Sequence, residues 1–467
     1  MTAAHIPTIA IVGAGFSGSL LAVHLTSQSV GPLEIVMIDR NGSHGRGLAY
    51  STDNPNHLLN VRVEDMSAFP DLPGHLRDWL ERRTGRHADA LAFVSRGLYG
   101  AYVEDVLSAA LGRVDGQVAV TQIVANCVDL RSGAGAWTLR LSDGSSLKAD
   151  AVALCLGHFP PSLPVAVEAL GADERIIVDP WNLKAFGKIK PRDRVVVIGS
   201  GLTMADVVFH LQDQGHEGRI DVVSRRGLQP NVHEPTAFWP AFIDPGRPPT
   251  TSRALLRLVR REVESARQKG VDWRAVIDSL RPNLIALWRA WPLVEQKRAL
   301  RHLRPYWDTH RHRPEIDARL RKLEPERRLR FLAGSLVLAR ATREAIEIDF
   351  RRRGSAEIET LRAGWLVNCT GPTTAYERIG DPFVRALLDQ GLARPDDVGL
   401  GIEVTGDCNV IGAAGQPHDR LFATGPLTRS AFWEMLAVPE LRRQAPEVAR
   451  QMLGSLHADT NAGSLVL

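Results

Sequence analysis

Cysteine is scarce in this 467-residue chain: four occur, at positions 127, 155, 369 and 408. No two have CxxC or zinc-ligand spacing, which argues against a structural zinc and against a vicinal redox dithiol. Long apolar runs are also missing, and none would span a bilayer. Met1 leads straight into a strand-like segment, with no basic leader and no cleavage site. A cytoplasmic location without a membrane partner is therefore expected. No GxSxG, HExxH, P-loop or paired-carboxylate pattern stands in a credible context, which disfavours hydrolase, kinase and metal-dependent chemistry. Charge of one sign is not dominant either, at net +4. The excess is local: Thr251–Arg330 holds 21 Lys/Arg against 10 Asp/Glu, leaving 36 against 43 elsewhere. Apolar residues inside that block recur at helical spacing. It reads as mixed-charge surface helices, and no nucleic-acid partner is expected.

What is present begins with a β-α-β unit. Thr8–Val12 is a short apolar, β-branched run, as in a buried parallel strand. Gly13-Ala14-Gly15-Phe16-Ser17-Gly18 follows, Leu20–Leu25 continues with helical spacing, and Leu33–Ile38 is a second strand. Val120–Asn126, Trp137–Leu141 and Ser146–Ala149 read as short antiparallel strands. Ala151–Leu156 is a buried strand ending at Gly157. The pattern then restarts: strand Arg194–Ile198, turn Gly199–Gly201, helix Thr203–Gln212, strand Arg219–Ser224. A helical stretch runs from about 251 to 323. Short strands follow at Arg328–Leu332, Ala345–Phe350 and Ile358–Leu361, and Trp365–Asn368 ends at Thr370-Gly371. AVALCLG and WLVNCTG thus occupy equivalent places in two related halves. Cys155 and Cys369 close those strands, where a buried inert thiol is the default.

The first glycine turn is a full GxGxxG between strand and helix. Its first glycine makes the turn, its second admits a pyrophosphate, and its third lets the helix pack on the strand. The helix N-terminus adds a field that favours phosphate. Asp39 ends the next strand, placed to accept from a ribose hydroxyl, with Arg40 beside it. The second turn, Gly199-Ser200-Gly201-Leu202-Thr203-Met204, lacks the third glycine. Its following strand ends in Ser224-Arg225-Arg226 in place of an acid. An acid would repel a 2′-phosphate, whereas arginine pairs with it, so NADPH is favoured over NADH. The alternative is that these arginines only cover the surface. Two dinucleotide sites on one chain point to hydride transfer, with FAD held in the first and NADPH visiting the second.

The order of parts resembles the flavin-containing and N-hydroxylating monooxygenases, the single-component FAD/NADPH type. More closely, the chain resembles a bacterial family of FAD/NAD(P)-binding proteins. The segments that carry this are GRGLAYST (Gly45–Thr52), HLLNVRVEDMSAFPD (His57–Asp71), IGSGLTMADVV (Ile198–Val208), SRRGLQPNVH (Ser224–His233), RHLRPYWDTHRHR (Arg301–Arg313) and LFATGPLTRSAFWEMLAVPELRRQA (Leu421–Ala445). In flavin-containing monooxygenases an Asn precedes a stretch containing Met and Phe-Pro-Asp. Asn60, Met66, Phe69, Pro70 and Asp71 are similar with a one-residue offset. The resemblance implies that Asn60 lies by the flavin where oxygen reacts; otherwise it caps a turn before a helix. A His that the group carries before its second glycine turn has no counterpart in IIVDPWN (Ile176–Asn182).

Thr424-Gly425-Pro426 follows the strand Leu421–Ala423. The resemblance implies a helix N-terminus there, aimed at the flavin ring. Arg46, in GRGLAY, either touches the pyrophosphate or flavin or shapes a turn. His233 either donates a proton near the site or is an ordinary surface residue. Arg304, Tyr306, Trp307, His310, Arg311, His312 and Arg313 form a basic-aromatic cluster, read as an interdomain ion-pair seam or an anion site.

The expected fold is α/β, with two doubly wound, Rossmann-like dinucleotide-binding domains. Residues 1–160 begin the FAD domain. Residues 161–363 form the NADPH domain, with a helical insertion at about 240–325, and 364–467 return to the FAD domain. Asn60 and His233 are the candidate catalytic residues. Candidate cofactor contacts are Gly13, Gly15, Phe16, Ser17, Gly18, Asp39, Arg40, Arg46, Met66, Gly157, Gly199, Gly201, Leu202, Thr203, Ser224, Arg225, Arg226, Gly371, Gly425 and Pro426. The expected activity is a monooxygenase acting with O2 on a small, anionic or amine-bearing substrate, in a monomer or homodimer. The alternatives are a reductase passing electrons to a quinone, redox protein or organic acceptor, and a non-catalytic nucleotide-fold scaffold.

Overall fold

The computed structural model describes residues 5–112, 117–133, 135–302 and 311–462. They form two compact units. The first contains the chain up to 158, residues 283–296, and the chain from 374 onward. The second contains 159–282 and 297–373.

In the first unit, β1 (Thr8–Val12) leads into α1 (Phe16–Gln28) and β2 (Leu33–Asp39). Ile9 to Val12 are all buried, the mark of a parallel strand covered on both faces. Helices α2 (His75–Thr84) and α3 (Arg96–Leu111) follow. The Ser95 hydroxyl caps α3 by accepting from the Leu98 N–H, which satisfies one orphan donor of the first turn. Next come β3 (Val118–Val124), β4 (Cys127–Ser132), β5 (Trp137–Leu141), β6 (Ser146–Ala149) and β7 (Ala151–Leu154). β3 runs parallel to β2 in the main sheet and is not part of the antiparallel set expected from the sequence. That set is β4-β5-β6. Its register with β2 includes Val36↔Thr121, which the sequence pattern does not reveal.

The second unit repeats the plan. Its strands are β8 (Ile176–Ile177), β9 (Val195–Ile198), β10 (Ile220–Ser224), β11 (Leu329–Ala341), β12 (Ile346–Arg352), β13 (Ile358–Ala363) and β14 (Trp365–Asn368), with α4 (Leu202–Asp213) between β9 and β10. The sheet order is β13-β12-β11-β10-β9-β14-β8. Successive β9 side chains point to opposite faces. Val195 and Val197 pack with Met204, Val208 and Phe209, while Val196 and Ile198 pack with Ile346, Ile348 and Phe350. β11 is far longer than the five residues expected. It pairs with β10 up to Ala333 and with β12 from Gly334, the latter pairing carrying a bulge at Leu336/Leu338. A bulge lets one strand bend to serve two partners. The basic block contributes α5 (Ser252–Gln268), capped by the Thr251 hydroxyl, and α6 (Leu284–Ala290). α6 lies in residues 283–296 and so belongs to the first unit, whereas the sequence had placed the whole insertion in the second.

The chain then returns with β15 (Asn409–Ile411), β16 (Pro417–Ala423) and α7 (Val438–Ala462). The first unit's main sheet reads β15-β16-β7-β1-β2-β3. In each unit the strand before the glycine turn sits centrally: β1 between β2 and β7, β9 between β10 and β14. Each turn therefore lies where strand order reverses, the place at which doubly wound sheets bind ligands. Among the described residues, no helix is long and apolar enough to cross a membrane.

Candidate functional site

The first glycine turn is built for close approach. Gly13 has φ +97, and a Cβ there would stand 2.3 Å from the Cys155 carbonyl oxygen. A Cβ on Gly18 would stand 2.0 Å from the Gly13 carbonyl, so strand and helix touch through backbone. The Gly13 N–H donates to Ile38 O at 2.8 Å, and the Cys155 N–H to Val12 O at 2.8 Å. Gly15 starts α1 with no side-chain cap, which leaves the first-turn amides at Phe16, Ser17 and Gly18 for an anion. The Asp39 carboxylate accepts from the N–H groups of Ala14 (3.2 Å) and Asn41 (2.9 Å). It thereby holds the turn shut at the point where a ribose hydroxyl would arrive. Arg40 donates to Asp381 at 3.2 Å. This uncapped cradle, closed against any side chain at Gly13 and Gly18, fits the pyrophosphate of a dinucleotide.

The loop Gly45–Tyr50 packs onto the turn, with the Gly45 N–H donating to Ala14 O at 2.9 Å. Arg46 makes an ion pair: its Nε donates to Glu104 Oε1 at 2.7 Å, and this partner chiefly raises its pKa. The loop's own glycine geometry is tight, since a Cβ on Gly47 would lie 2.9 Å from the Gly15 Cα.

The returning strand brings Thr424-Gly425-Pro426 to the same edge. Leu421–Ala423 pairs with β7, and the Thr424 N–H donates to Leu154 O at 3.1 Å. A Cβ on Gly425 would lie 2.7 Å from Ser17 Oγ, so this turn abuts the first turn of α1. The expected helix starts here but is short. Pro426–Thr428 is a single 3-10 turn and Arg429–Phe432 a four-residue helix. The Gly425 N–H is already taken by the buried Gln444 side chain, whose Oε1 accepts at 2.8 Å. So short a helix has little dipole to aim, and the buried amide of Gln444 organises this corner instead.

Sequence reasoning missed the polar groups next to that corner. His158 follows Gly157 at the end of β7. Desolvation, and then the Arg429 cation, push its pKa down to about 4, so the imidazole is neutral. Arg429 is buried and donates through Nε to Trp433 O at 3.1 Å. It also opposes the upward push that burial gives the Tyr376 phenol. Asp396 accepts four backbone N–H groups, from Val398, Gly399, Leu400 and Gly401. Burial nonetheless holds its pKa above the usual carboxylate value. Trp433 has φ +54 and stacks on Trp288 of α6, whose indole N–H donates to Ser430 O at 2.7 Å. The signal for His158 was legible as a titratable residue one position beyond a strand-end glycine. Arg429 carried no local sign.

Asn60 is half-buried on a segment that runs along residues 90–96, with the Leu59 N–H donating to Val94 O and the Val63 N–H to Ala92 O. The next helical turn, Val63–Asp65, starts after Arg62. Met66 is 2% exposed and belongs to the core.

The second glycine turn copies the first. Gly199 has φ +102, and a Cβ would lie 2.3 Å from the Cys369 carbonyl. Its N–H donates to Val223 O at 2.8 Å, and the Cys369 N–H to Ile198 O at 2.7 Å. Gly201 starts α4 without a side-chain cap, leaving the amides of Leu202 and Thr203 open. Met204, in place of the third glycine, is fully buried against β9 and β10 residues, so the helix is accommodated rather than expelled. Gly157 and Gly371 occupy matching strand-end positions with φ +67 and +89 and open space where a Cβ would be. The Ser224 hydroxyl accepts from the Gly227 N–H at 3.0 Å, folding the turn that presents Arg225 and Arg226. Arg226 donates to Arg301 O at 3.2 Å. Arg225 is exposed and has no partner among the described residues.

His233 is half-buried and its N–H donates to His312 O at 2.7 Å. His312 is fully buried, and desolvation chiefly drives its pKa down to about 4. Arg304, Tyr306, Trp307 and His310 lie outside the described residues. Arg311 pairs with Asp278 at 3.0 Å, both inside the second unit.

Residues 10–159 match the family model described as FAD-NAD(P)-binding, and residues 89–272 that of L-lysine 6-monooxygenase/L-ornithine 5-monooxygenase. No curated protein matches the chain. Among solved structures it is similar to an L-lysine 6-monooxygenase from Pseudomonas syringae, at 18% identity and TM-score 0.63, over 97% of this chain and 100% of that one. It is similar to the ornithine N-hydroxylase KtzI of Kutzneria sp. 744, described with reduced FAD, NADP+ and L-ornithine, at 16% identity and TM-score 0.60, over 96% and 99%. A thioredoxin reductase from Lactococcus lactis matches at 10% identity and TM-score 0.53, over 97% and 99%. These likenesses carry the fold: two Rossmann-like units of the FAD/NAD(P) type.

Proposed function

We propose that this chain is a single-component monooxygenase that uses FAD and NADPH to hydroxylate the nitrogen of a small amine. The observation that carries it is the combination of two dinucleotide turns with no redox dithiol. All four cysteines are buried and unpaired, and burial raises every thiol pKa, to about 12 for Cys127 and Cys408. A reductase that works through a cysteine pair has no pair to use. The match of residues 89–272 to the lysine/ornithine monooxygenase model supports an amine as the oxygen acceptor.

FAD, when bound, accepts hydride from NADPH and activates O2 for transfer to nitrogen. The chain's residues supply the rest. The amides of α1 and the turn Gly13–Gly18 hold the pyrophosphate, and Asp39 takes the ribose. The amides of α4 hold the second pyrophosphate, and Arg225 pairs with the 2′-phosphate. Neutral His158 is a proton acceptor at the C-terminal edge of the first sheet, kept deprotonated chiefly by desolvation and then by the Arg429 cation. Asn60 and His233 remain proposed contacts of the reacting groups.

The test is NADPH oxidation by the flavin-loaded protein with L-lysine, L-ornithine, aliphatic diamines and thiols, measuring hydroxylated product against peroxide. Coupled formation of a hydroxylamine is expected. If every amine returned the electrons only as peroxide while quinones turned over rapidly, the reductase reading would replace this one.

A further inference from the structure

A cavity of about 790 Å³ opens in the first unit, at the other end of α1 from the glycine turn. Its walls include His24 and Thr26 of α1, Trp79 and Arg82 of α2, Ala110 of α3 and the first residue of β3, Val118. His24 is eight residues beyond Phe16, which puts it about 12 Å down the helix axis. Val118 marks the N-terminal edge of the sheet, whereas dinucleotides lie at the C-terminal edge. The cavity is therefore separate from the cofactor turn, and its volume falls within the range of small-molecule sites.

Its polar groups are unevenly matched. Arg83 lies over the Trp79 ring at 5.0 Å and pairs with Asp105 at 3.7 Å, while the Trp79 indole N–H donates to the same carboxylate at 2.9 Å. Arg82 has no ion-pair partner among the described residues. The His24 Nε2 is enclosed by protein and has no hydrogen-bond partner. Phe69 and His75 meet edge to face at 4.9 Å, and the His75 ring bonds the Tyr102 hydroxyl at 2.8 Å, so this wall is fixed in place.

We propose that this cavity is a second binding site, for a small aromatic monoanion such as an aryl carboxylate. The ring would lie against Phe69, His75 and Trp79. The anion would meet Arg82, which has no ion-pair partner among the described residues. Aromatic walls and one cation unpaired among the described residues select this class over a neutral or dianionic ligand. The inference does not rest on the flavin reading.

Calorimetric titration of the full-length protein with 2-naphthoate tests it, with 2-naphthylmethanol as the neutral isostere. Saturable one-to-one binding of the carboxylate is expected, with the alcohol and Arg82→Gln each weaker by about tenfold or more, the loss of one charge-assisted contact. Ala110→Trp, at a partly exposed helix position on the wall, should abolish it. No saturable binding to millimolar concentration, or equal binding by Ala110→Trp, overturns the site. Equal binding of the alcohol overturns the ligand class. Should Ala110→Trp not fold, the comparison of the two ligands on the unaltered protein and Arg82→Gln still decides.

Discussion

Arg225 and His312 show how differently two basic side chains of the second unit are used. Arg225 stands exposed and without a partner at the end of β10, so nothing within the described protein competes with a phosphate for it. Arg225→Gln should raise the KM for NADPH by roughly tenfold to a hundredfold and leave that for NADH little changed, because one charge-assisted contact is lost and the fold is untouched. Steady-state kinetics with both cofactors reads this out; an equal change for the two would make Arg225 a surface residue only. His312 is its opposite, with no exposure and a pKa near 4. Its folded pKa lies below that of a free histidine, so the unfolded chain binds the proton first on acidification. Stability is therefore intact above pH 6.5 and falls as pH drops toward 4, by up to roughly 3 kcal/mol. His312→Phe should flatten that part of the stability curve in urea titrations between pH 7 and 4. An unchanged slope would place the acid sensitivity elsewhere.

The glycine turns can be compared element against element. At Gly13 and Gly199 alike a Cβ would meet a carbonyl oxygen at 2.3 Å, and both φ values are strongly positive. Neither neighbour is a movable side chain; each is the backbone of the adjoining strand end. Gly13→Ala should yield protein that purifies colourless, while Gly199→Ala should keep its flavin and lose NADPH-dependent reduction, followed by absorbance on anaerobic mixing. The third glycine differs between the turns. At Gly18 only 2.0 Å separates a would-be Cβ from backbone, whereas Met204 fills its space fully buried. Helix packing was thus free to vary in the second unit once the turn itself was kept.

For the whole molecule, two units with separate cores imply two sources of stability. Asp221 is fully buried in the second unit and receives Arg194 at 2.6 Å, Arg330 at 2.7 Å and Arg219 at 3.0 Å. Burial alone would raise its pKa, but these arginines overcome that and hold it below the ordinary value. Its contribution is present above the ordinary carboxylate pKa and lost as pH falls below it. Asp221→Asn leaves three half-exposed guanidinium groups around a neutral amide and should cost roughly 3 kcal/mol, at the low end for a broken buried pair. Calorimetry should show one lowered transition, that of the second unit, and FAD should still raise the other. Both transitions falling together would mean the units unfold as one.

By itself the sequence determined the class of fold, both glycine turns, the acid after one and the arginines after the other. Each is a local matter: strand burial, φ sign and charge at a strand end are written in consecutive residues. AVALCLG and WLVNCTG were legible as equivalents for the same reason. Only the tertiary structure decided which strands pair. It put β3 in the main sheet, bent β11 across two partners and moved residues 283–296 into the first unit. It also decided where the long side chains reach. Arg46 turned to Glu104, Gln444 took the Gly425 amide that a helix was expected to offer, and Arg429 came to rest near His158 from more than half the chain away. Those choices depend on contacts between residues far apart in the chain, and a pattern of neighbours carries no record of them.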